Sequence, residues 1–319
     1  MISRALFLTF LILIISLFTR SDPASLQSSF QENLQNTSVS AGSVFASPRQ
    51  KQYFAQIQEN LLNAGKIENL PLKNPDAVAP ELKVQAALAV DMESGIVLFE
   101  LNSRARWPIA SLTKLLTAAV VAENIGLEKP ILISEKAWST EGTAGNLLPG
   151  EVYKSGDLIK AMLTVSSNDA AAALAEFYGE DNFLEAMRQK ALVLGIAESN
   201  FADPTGLSFV NQASASDLVK LIKYLIAKHP ELLEITRQKT AELLEINAGQ
   251  KKTLTNINSF AGRPDFLGGK TGFIDASGSN LISVFQYQNR KIIIIVLGTN
   301  DRFGQTELLY NWVKASYSF

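Results

Sequence analysis

The helix that organises the chain is predicted by the stretch Trp107-Pro-Ile-Ala-Ser-Leu-Thr-Lys114, which runs into the apolar segment Leu115-Leu-Thr-Ala-Ala-Val-Val121. Proline is common in the first turn of a helix, and the apolar run has helical length, so we expect the helix to start near Pro108. Ser111 and Lys114 then lie one turn apart on the same face. A serine hydroxyl needs a base to take its proton, and a lysine can be that base where burial lowers its pKa. The alternative is a surface serine beside a solvated lysine.

Composition narrows the chemistry that the chain can carry out. The 319 residues include no cysteine and a single histidine, His229, and the net charge is −2. A cysteine nucleophile and disulfides are therefore excluded, and most zinc sites are as well. His229 precedes a proline at the predicted end of a helix, so we expect a helix cap rather than a catalytic base. We expect no metal and no cofactor, and the small net charge gives no reason to expect a nucleic-acid partner.

Three segments differ in composition along the chain. Residues 1–20 have a short basic start and an apolar run, which predict a signal peptide or an uncleaved signal anchor and hence export. Residues 21–83 are rich in Ser, Gln and Asn and end in several prolines, which predicts a flexible linker that can hold a short helix near residues 52–64. The folded domain is expected to cover residues 84–319. Any membrane contact is expected only through the N-terminal segment.

Strands are predicted at both ends of this domain, with helices between them. The predicted strands are residues 84–90, 96–101, 270–274, 280–287 and 291–297. The predicted helices, besides the one that carries Ser111, are residues 155–165, 169–178, 182–194, 216–228 and 305–315. The continuous apolar run Ile292–Leu297 predicts a central strand that is covered on both faces. This order indicates one sheet built from both ends of the domain, with a helical lobe inserted in it.

A second polar motif, Val165-Ser-Ser-Asn-Asp169, lies between two predicted helices. A loop at this place can project side chains into a cleft between two lobes. A serine in such a loop can relay a proton, and an asparagine can bind both main-chain groups of an extended peptide. The alternative is that residues 166–169 only cap the next helix.

A third motif, Leu267-Gly-Gly-Lys-Thr-Gly272, opens a predicted strand. Its glycines allow another backbone to approach closely, and Lys270 and Thr271 can bind a carboxylate. A nucleotide-binding P-loop is excluded for two reasons. Pro264 stands where that motif needs a glycine, and a strand rather than a helix follows it.

These three motifs, in this order and with these gaps, resemble those of the penicillin-recognising serine hydrolases. Within that group the chain is most similar to the low-molecular-mass D-alanyl-D-alanine carboxypeptidases and their endopeptidase relatives. The resemblance covers residues from about 84 to the C-terminus, and four stretches carry it: Arg106-Trp-Pro-Ile-Ala-Ser-Leu-Thr-Lys114, Ser166-Ser-Asn-Asp-Ala-Ala171, Asn200-Phe-Ala-Asp-Pro-Thr-Gly-Leu207 and Gly269-Lys-Thr-Gly-Phe-Ile-Asp-Ala-Ser-Gly278. It implies an α+β fold of the β-lactamase and DD-peptidase type, with a central antiparallel sheet of about five strands, flanking helices and an inserted all-helical lobe.

The resemblance also implies a role for each motif residue. Ser111 is similar to the nucleophile, Lys114 to its general base, and Ser166 to the hydroxyl that passes a proton to the leaving amine. The oxyanion is expected to be bound by the N–H groups of Ser111 and Phe273. The implied substrate-binding set is Asn168, Lys270, Thr271, Gly272, Phe273 and Arg302. For Arg302 a plain surface arginine is an equal alternative.

The implied activity is removal of the terminal D-alanine from peptidoglycan stem peptides that end in D-Ala-D-Ala, by an exported periplasmic or cell-surface enzyme. The reaction passes through an acyl-enzyme, and β-lactam antibiotics are the expected covalent inhibitors. Three alternatives stay open: a DD-endopeptidase acting on cross-links, a class A-like β-lactamase, and a non-catalytic penicillin-binding sensor.

Two of these alternatives are disfavoured by the residues themselves. A β-lactamase typically places a deacylating glutamate after the second motif, and Asp203-Pro-Thr-Gly206 contains none. The stretch Glu231-Leu-Leu-Glu234 resembles such a motif but stands in a helical context. The sensor is disfavoured because the residues of all three motifs are intact.

Overall fold

The computed structural model describes residues 70–142, 144–196 and 199–319. The predicted signal segment and most of the predicted linker, including residues 52–64, lie outside the described residues. Within the described part of the chain, no helix combines the length and the apolar character that a membrane crossing needs.

The secondary-structure elements of the described residues are numbered here in chain order. The strands are β1 (Leu72–Lys73), β2 (Ala86–Asp91), β3 (Val97–Leu101), β4 (Trp107–Pro108), β5 (Pro130–Leu132), β6 (Val152–Lys154), β7 (Gln212–Ala213), β8 (Thr240–Leu244), β9 (Lys251–Thr255), β10 (Phe266–Ile274), β11 (Gly278–Tyr287), β12 (Arg290–Thr299) and β13 (Tyr317–Ser318). The α-helices are α1 (Lys114–Asn124), α2 (Glu135–Trp138), α3 (Ser155–Thr164), α4 (Asn168–Tyr178), α5 (Glu180–Val193), α6 (Ala215–Lys228), α7 (Pro230–Arg237) and α8 (Arg302–Ser316), and a 3₁₀ helix spans Ala110–Thr113.

Five of these strands form one antiparallel sheet in the order β10-β11-β12-β2-β3. Its two halves come from opposite ends of the domain and join where β2 pairs with β12, with Leu88 opposite Ile295 and Ala89 opposite Ile294. Helices α1–α7 come between β3 and β10 in the chain and form the inserted lobe. The predicted α+β class is therefore confirmed, with the five-stranded antiparallel sheet and the helical insertion.

The central strand β12 is buried on both faces, as its continuous apolar run predicts. Side chains alternate across a strand, so neighbouring residues enter different cores. Ile293, Ile295 and Leu297 pack in the larger core with the helical lobe. Ile292 and Ile294 pack in the smaller core on the other face, against α8. The sheet is therefore the wall that the two cores share, and it fixes the position of the lobe relative to β10.

The predicted elements match the observed ones closely, but several short elements were missed. Helices α2 and α7 and the hairpin β8–β9 have no counterpart in the prediction. Each is short or strongly charged, so its apolar periodicity is too weak to be distinguished from a loop. A signal for α7 was present in Pro230, which occupies the first helical position.

Regular structure begins before residue 84, where the sequence analysis placed the start of the domain. Strand β1 pairs with β13 at the C-terminus, and the N–H of Asn74 donates to Ser316 O at 2.8 Å. The indole N–H of Trp312 donates to Val78 O at 2.6 Å. These contacts, made by main-chain groups of residues 72–78, attach that segment to α8 and β13. Composition alone does not reveal them, because the bonds use backbone groups that every residue carries.

A buried ion pair connects the two halves of the sheet, and its removal gives a stability prediction. Arg290 Nη1 lies 2.9 Å from Asp91 Oδ2, and the Asp91 side chain is fully buried. Arg290→Met leaves that charge unpaired, so we expect the free energy of unfolding to fall by about 3–5 kcal/mol. Urea unfolding at neutral pH measures this change in the free energy of unfolding.

The matched control is the next residue, Lys291, whose Nζ lies 3.6 Å from Glu93 Oε1 in a solvent-exposed pair. Lys291→Met should lower the unfolding free energy by about 0–1 kcal/mol, because an exposed pair contributes little. Equal losses for the two substitutions would contradict the assignment.

Candidate active site

The segment before the first active-site helix differs from the expected one. Strand β4 ends at Pro108, and Ser111 lies in the 3₁₀ helix, so the α-helix begins only at Lys114. The irregularity arises at Ala110, whose φ of +49° is a left-handed conformation that an α-helix does not contain. The predicted helix start at Pro108 is therefore wrong. Ser111 and Lys114 nevertheless remain one turn apart.

The amine of Lys114 is the centre of the site. Its Nζ lies 3.0 Å from Ser111 Oγ and 2.6 Å from Asn168 Oδ1, and it also donates to the main-chain carbonyl of Thr205. The side chain is completely buried. Burial lowers the pKa of Lys114 from 10.5 to about 7, and the carboxylate of Asp203 opposes this shift. A large fraction of the amine is therefore neutral near pH 7 and can accept a proton.

A second pair of lysine and serine lies close to the first. Lys270 Nζ, on β10, is 2.9 Å from Oγ of Ser166, which stands between α3 and α4. Ser166 has a φ of +62°, a conformation that costs a non-glycine residue about 1–3 kcal/mol. Burial, together with the positive charges of Lys114 and Arg302, holds the pKa of Lys270 well below its usual value. The charge of Lys114 therefore contributes to the lowered pKa of Lys270.

Asn168 connects the second motif to the first. Its Oδ1 accepts from Lys114, and its Nδ2 donates to Glu141 O at 2.7 Å. The side chain of Ser167 caps α4 by accepting a backbone N–H. The motif therefore does more than cap the helix: Ser167 is the cap, while Ser166 and Asn168 contact the two lysines.

Strand β10 lies directly against the turn that carries the nucleophile. A Cβ on Gly272 would sit 2.7 Å from Ile109 O, so only glycine permits this approach. Thr271 is buried, whereas the Phe273 side chain is 57% exposed. Arg302 is the first residue of α8, and its Nη1 donates to Gly272 O at 3.0 Å. The structure thus places Arg302 beside the third motif rather than on an open surface, and burial lowers its pKa.

A loop that the sequence analysis gave no role, residues 202–208, covers the base. It supplies the carbonyl of Thr205 to Lys114. The next residue, Gly206, has a φ of +83°, and a Cβ there would lie 2.1 Å from Ala110 O. The loop therefore packs backbone against backbone on the nucleophile turn.

The shape of this loop follows from Asp203. Its carboxylate accepts main-chain N–H bonds from Thr205 and Gly206, each at 2.7 Å, and from Ser208 at 3.0 Å. An aspartate that binds its own following backbone is a recognised turn signal, and Asp-Pro-Thr-Gly contains it. That signal predicts the turn but not the contact with Lys114, which depends on residues far apart in the chain.

The single histidine caps a helix, as predicted. His229 follows α6, and its ring nitrogens contact Glu123 Oε1 at 3.0 Å and Glu231 Oε1 at 3.2 Å. Glu123 lies near the opposite end of α1 from Lys114, roughly 14 Å along the helix axis. The group that contacts the Ser111 hydroxyl is therefore the amine of Lys114 and not the imidazole of His229.

Comparisons with known proteins agree with the three motifs. The family model described as D-alanyl-D-alanine carboxypeptidase matches residues 73–301. The chain is 31% identical over 254 residues to D-alanyl-D-alanine carboxypeptidase DacC of Escherichia coli, covering 73% of this chain and 62% of that protein. It is 32% identical over 246 residues to a D-alanyl-D-alanine endopeptidase of Pseudomonas aeruginosa, covering 73% of this chain and 78% of that protein. The chain thus spans about three fifths of the E. coli relative.

A solved structure shares the fold. Penicillin-Binding Protein D2 from Listeria monocytogenes, in a cefotaxime-bound form, aligns with a TM-score of 0.65 and 29% identity over 74% of this chain and 99% of that chain. The family resemblance predicted from the motifs is confirmed.

The close approach of the loop to the nucleophile turn gives a prediction. In Gly206→Ala the added methyl group clashes with Ala110 O, so the loop or the turn must move. A displacement of about 1 Å at a catalytic group can reduce a rate by about 10²-fold, and we expect a loss of this size. The measurement is the rate at which a fluorescent penicillin labels Ser111.

Gly249→Ala is the matched control. Gly249 also has a positive φ, +67°, but nothing lies within 4 Å of the position of its Cβ. It should lose only about 1–2 kcal/mol of stability and keep its labelling rate. Normal labelling of the Gly206 variant would show that the loop does not constrain the turn.

Proposed function

Because the chain belongs to the D-alanyl-D-alanine carboxypeptidase family of serine peptidases, we propose that it hydrolyses peptidoglycan stem peptides that end in D-Ala-D-Ala. The observation that carries the proposal is the 3.0 Å contact between Lys114 Nζ and Ser111 Oγ, made by an amine that is completely buried. A dry amine beside a serine hydroxyl can remove its proton near neutral pH, and this is the step that a serine peptidase without a catalytic histidine needs.

The hydrogen bonds of Lys114 orient its lone pair. A neutral amine has two N–H groups and one lone pair. Asn168 Oδ1 and Thr205 O can only accept, so they take the two N–H groups. The lone pair is then left for the hydroxyl of Ser111, whose proton it accepts as Oγ attacks the carbonyl carbon of the penultimate D-alanine.

The second lysine–serine pair acts on the leaving group. When the tetrahedral intermediate collapses, the C–N bond breaks and the nitrogen of the terminal D-alanine needs a proton. Ser166 supplies it through its hydroxyl and is restored by the proton that Lys114 took from Ser111, while Lys270 Nζ, 2.9 Å from Ser166 Oγ, holds that hydroxyl in place. Asn168 holds the substrate amide. The products of this step are free D-alanine and an ester on Ser111.

Charge stabilisation comes from backbone and side-chain donors on both lobes. The N–H groups of Ser111 and Phe273 bind the oxyanion, and Gly272 lets their two segments approach closely enough. Thr271, with Arg302 beside it on α8, binds the terminal carboxylate of the substrate. The substrate therefore lies in the seam between the helical lobe and β10.

Hydrolysis of the acyl-enzyme distinguishes a peptidase from a class A-like β-lactamase. Such a lactamase presents a glutamate to the deacylating water. Here the loop over the site presents the carbonyl of Thr205, and its one acid, Asp203, uses its carboxylate to accept hydrogen bonds from the loop itself. This supports slow hydrolysis of a β-lactam adduct, so that β-lactams act as covalent inhibitors. The cefotaxime-bound relative supports the same expectation.

The proposed place of action is outside the cytoplasm, where peptidoglycan stem peptides are found. Export depends on the predicted signal segment, residues 1–20, and an uncleaved segment would anchor the enzyme to the membrane. The folded domain, whose regular structure begins at Leu72, then follows that segment in the chain.

The first prediction from this mechanism concerns pH. Acylation needs neutral Lys114, so the second-order rate constant for penicillin acylation should rise with pH through about 7 and level off above it. Below that value it should fall about tenfold per pH unit, because the protonated amine has no lone pair. In Lys114→Met we expect the plateau rate to fall about 10²–10⁴-fold. The rise of the rate with pH below the plateau, which is the ascending limb of the profile, should disappear as well. A variant that keeps the limb would remove Lys114 from the role of base.

The second prediction concerns products on purified muropeptides. We expect release of free D-alanine from pentapeptides, detected by chromatography, and no release by Ser111→Ala at equal folded concentration. Breakage of cross-linked dimers without D-alanine release would identify an endopeptidase, the activity named for the relative that is 32% identical. Fast nitrocefin turnover would indicate a β-lactamase. Penicillin labelling with none of these reactions would mean a sensor, and each of these three results would overturn the carboxypeptidase.

A further inference from the structure

The carbonyl that orients the base belongs to a loop, and something must hold that loop in place. Asp203 shapes the loop internally, since its carboxylate accepts from the main-chain N–H groups of Thr205, Gly206 and Ser208. Internal bonds do not fix the loop relative to α1. Besides Lys114 itself, two side chains do so. Thr117, on α1, donates from Oγ1 to Pro204 O at 2.7 Å. The other is Asn211.

Asn211 is fully buried and uses its whole amide. On the loop side, Oδ1 accepts from Ala202 N at 2.6 Å and from Asp203 N at 3.3 Å, and Nδ2 donates to Asp203 O at 2.9 Å. The second amide hydrogen goes to Thr113 Oγ1, at 3.1 Å. Both acceptor and donor capacities of an asparagine side chain are therefore satisfied.

The partners of Asn211 on the other side flank the nucleophile. Thr113 directly precedes Lys114 in the chain. The main-chain N–H of Ile109, two residues before Ser111, donates to Asn211 O at 2.9 Å. One residue thus bonds to the loop that covers the base and to both ends of the turn that carries the nucleophile.

From these contacts we propose that Asn211 is a positioning residue for the general base, an inference that rests on the proposed function. By holding the loop on the nucleophile turn, it keeps Thr205 O against the amine of Lys114. It thereby excludes water from that amine and leaves the lone pair directed at Ser111. Asn211 acts through the loop and does not itself touch the reacting atoms.

The charged groups that bear on Lys114 are Asp203 on the loop and Lys270 on β10. A substitution at Asn211 keeps both groups, but it loosens the loop that carries Asp203, whose carboxylate raises the pKa of Lys114 and is the smaller of the two causes. Burial is the largest cause of the lowered pKa of Lys114, so loosening the loop and admitting water should raise that pKa. The ascending limb of the acylation profile then moves to higher pH.

The experiment compares the pH profile of penicillin acylation in the full chain for the wild type and Asn211→Ser. We expect the limb of the variant to move up by about one pH unit, which lowers the rate at pH 6 about tenfold and leaves the plateau within a few-fold of wild type. A purely structural defect would lower the rate at every pH by the same factor. If the limb stays in place or moves to lower pH, the proposal is overturned.

Asn256→Ser is the matched control. Its amide also clamps a turn, donating to Thr236 O and Gln238 O at 2.9 Å each, but that turn joins α7 to β8. This variant should lose stability and keep the wild-type limb. A limb that moves equally in both variants would contradict a role specific to Asn211.

Thr113→Val keeps the test decisive if Asn211→Ser does not fold. It removes only the acceptor of the bond at 3.1 Å, keeps the shape of a fully buried side chain, and leaves the bonds of Asn211 within the loop. We expect a smaller shift in the same direction, and an unchanged limb would overturn the proposal. If the wild-type profile has no ascending limb near pH 7, the proposed mechanism is overturned instead. In that case burial does not bring the pKa of Lys114 close to 7, and there is no lowered pKa for Asn211 to maintain.

Discussion

Dehydration of two lysine amines is the constraint on which the rest of the structure depends. A lysine in water holds its proton far above neutral pH, and only removal of water makes it a base for a serine hydroxyl. Lys114 and Lys270 are both buried to within 1% of their surface. Their neighbours are mostly oxygen atoms that can accept a hydrogen bond but carry no full charge. The site thus satisfies the polar hydrogens of the amines without supplying the counter-charge that would restore their usual pKa.

The fold keeps water away from the two amines because three segments that are distant in the chain pack around them. The helical lobe contributes α1 and the loop between α3 and α4, the C-terminal strands contribute β10, and residues 202–208 cover the base. Two of these segments pack backbone against backbone, and each contact requires a glycine. Gly206 lies against Ala110, and Gly272 on β10 lies against Ile109. The central sheet, which is buried on both faces, fixes the position of β10 relative to the helical lobe.

The sequence allowed much of this to be predicted, and the limits have physical causes. The continuous apolar run of β12 and the periodicity of the helices both follow from burial, which leaves a regular apolar pattern. The three motifs were found because their chemistry needs particular side chains. The loop over residues 202–208 was given no role because its contribution to Lys114 is a main-chain carbonyl, which any residue at position 205 supplies. The same holds for residues 72–78, which join the domain largely through backbone bonds. The left-handed Ala110 was missed because alanine carries no signal for that conformation.

A lysine base has a consequence that a histidine base would not. Imidazole already titrates near neutral pH, so its surroundings need only orient it. An amine is a useful base only while it stays buried, so the groups that exclude water contribute to its reactivity as much as those that touch it. The residues on which activity depends therefore extend beyond the three motifs. Side chains such as Thr117 and Asn211 do not contact Ser111, but they bond to the loop over Lys114 or to the turn before it, and we propose that they help to keep its amine dry. In a site of this kind the residues that bury the amine are as necessary as the residues that contact the substrate. The motif residues are the members of this larger set that a sequence pattern can identify.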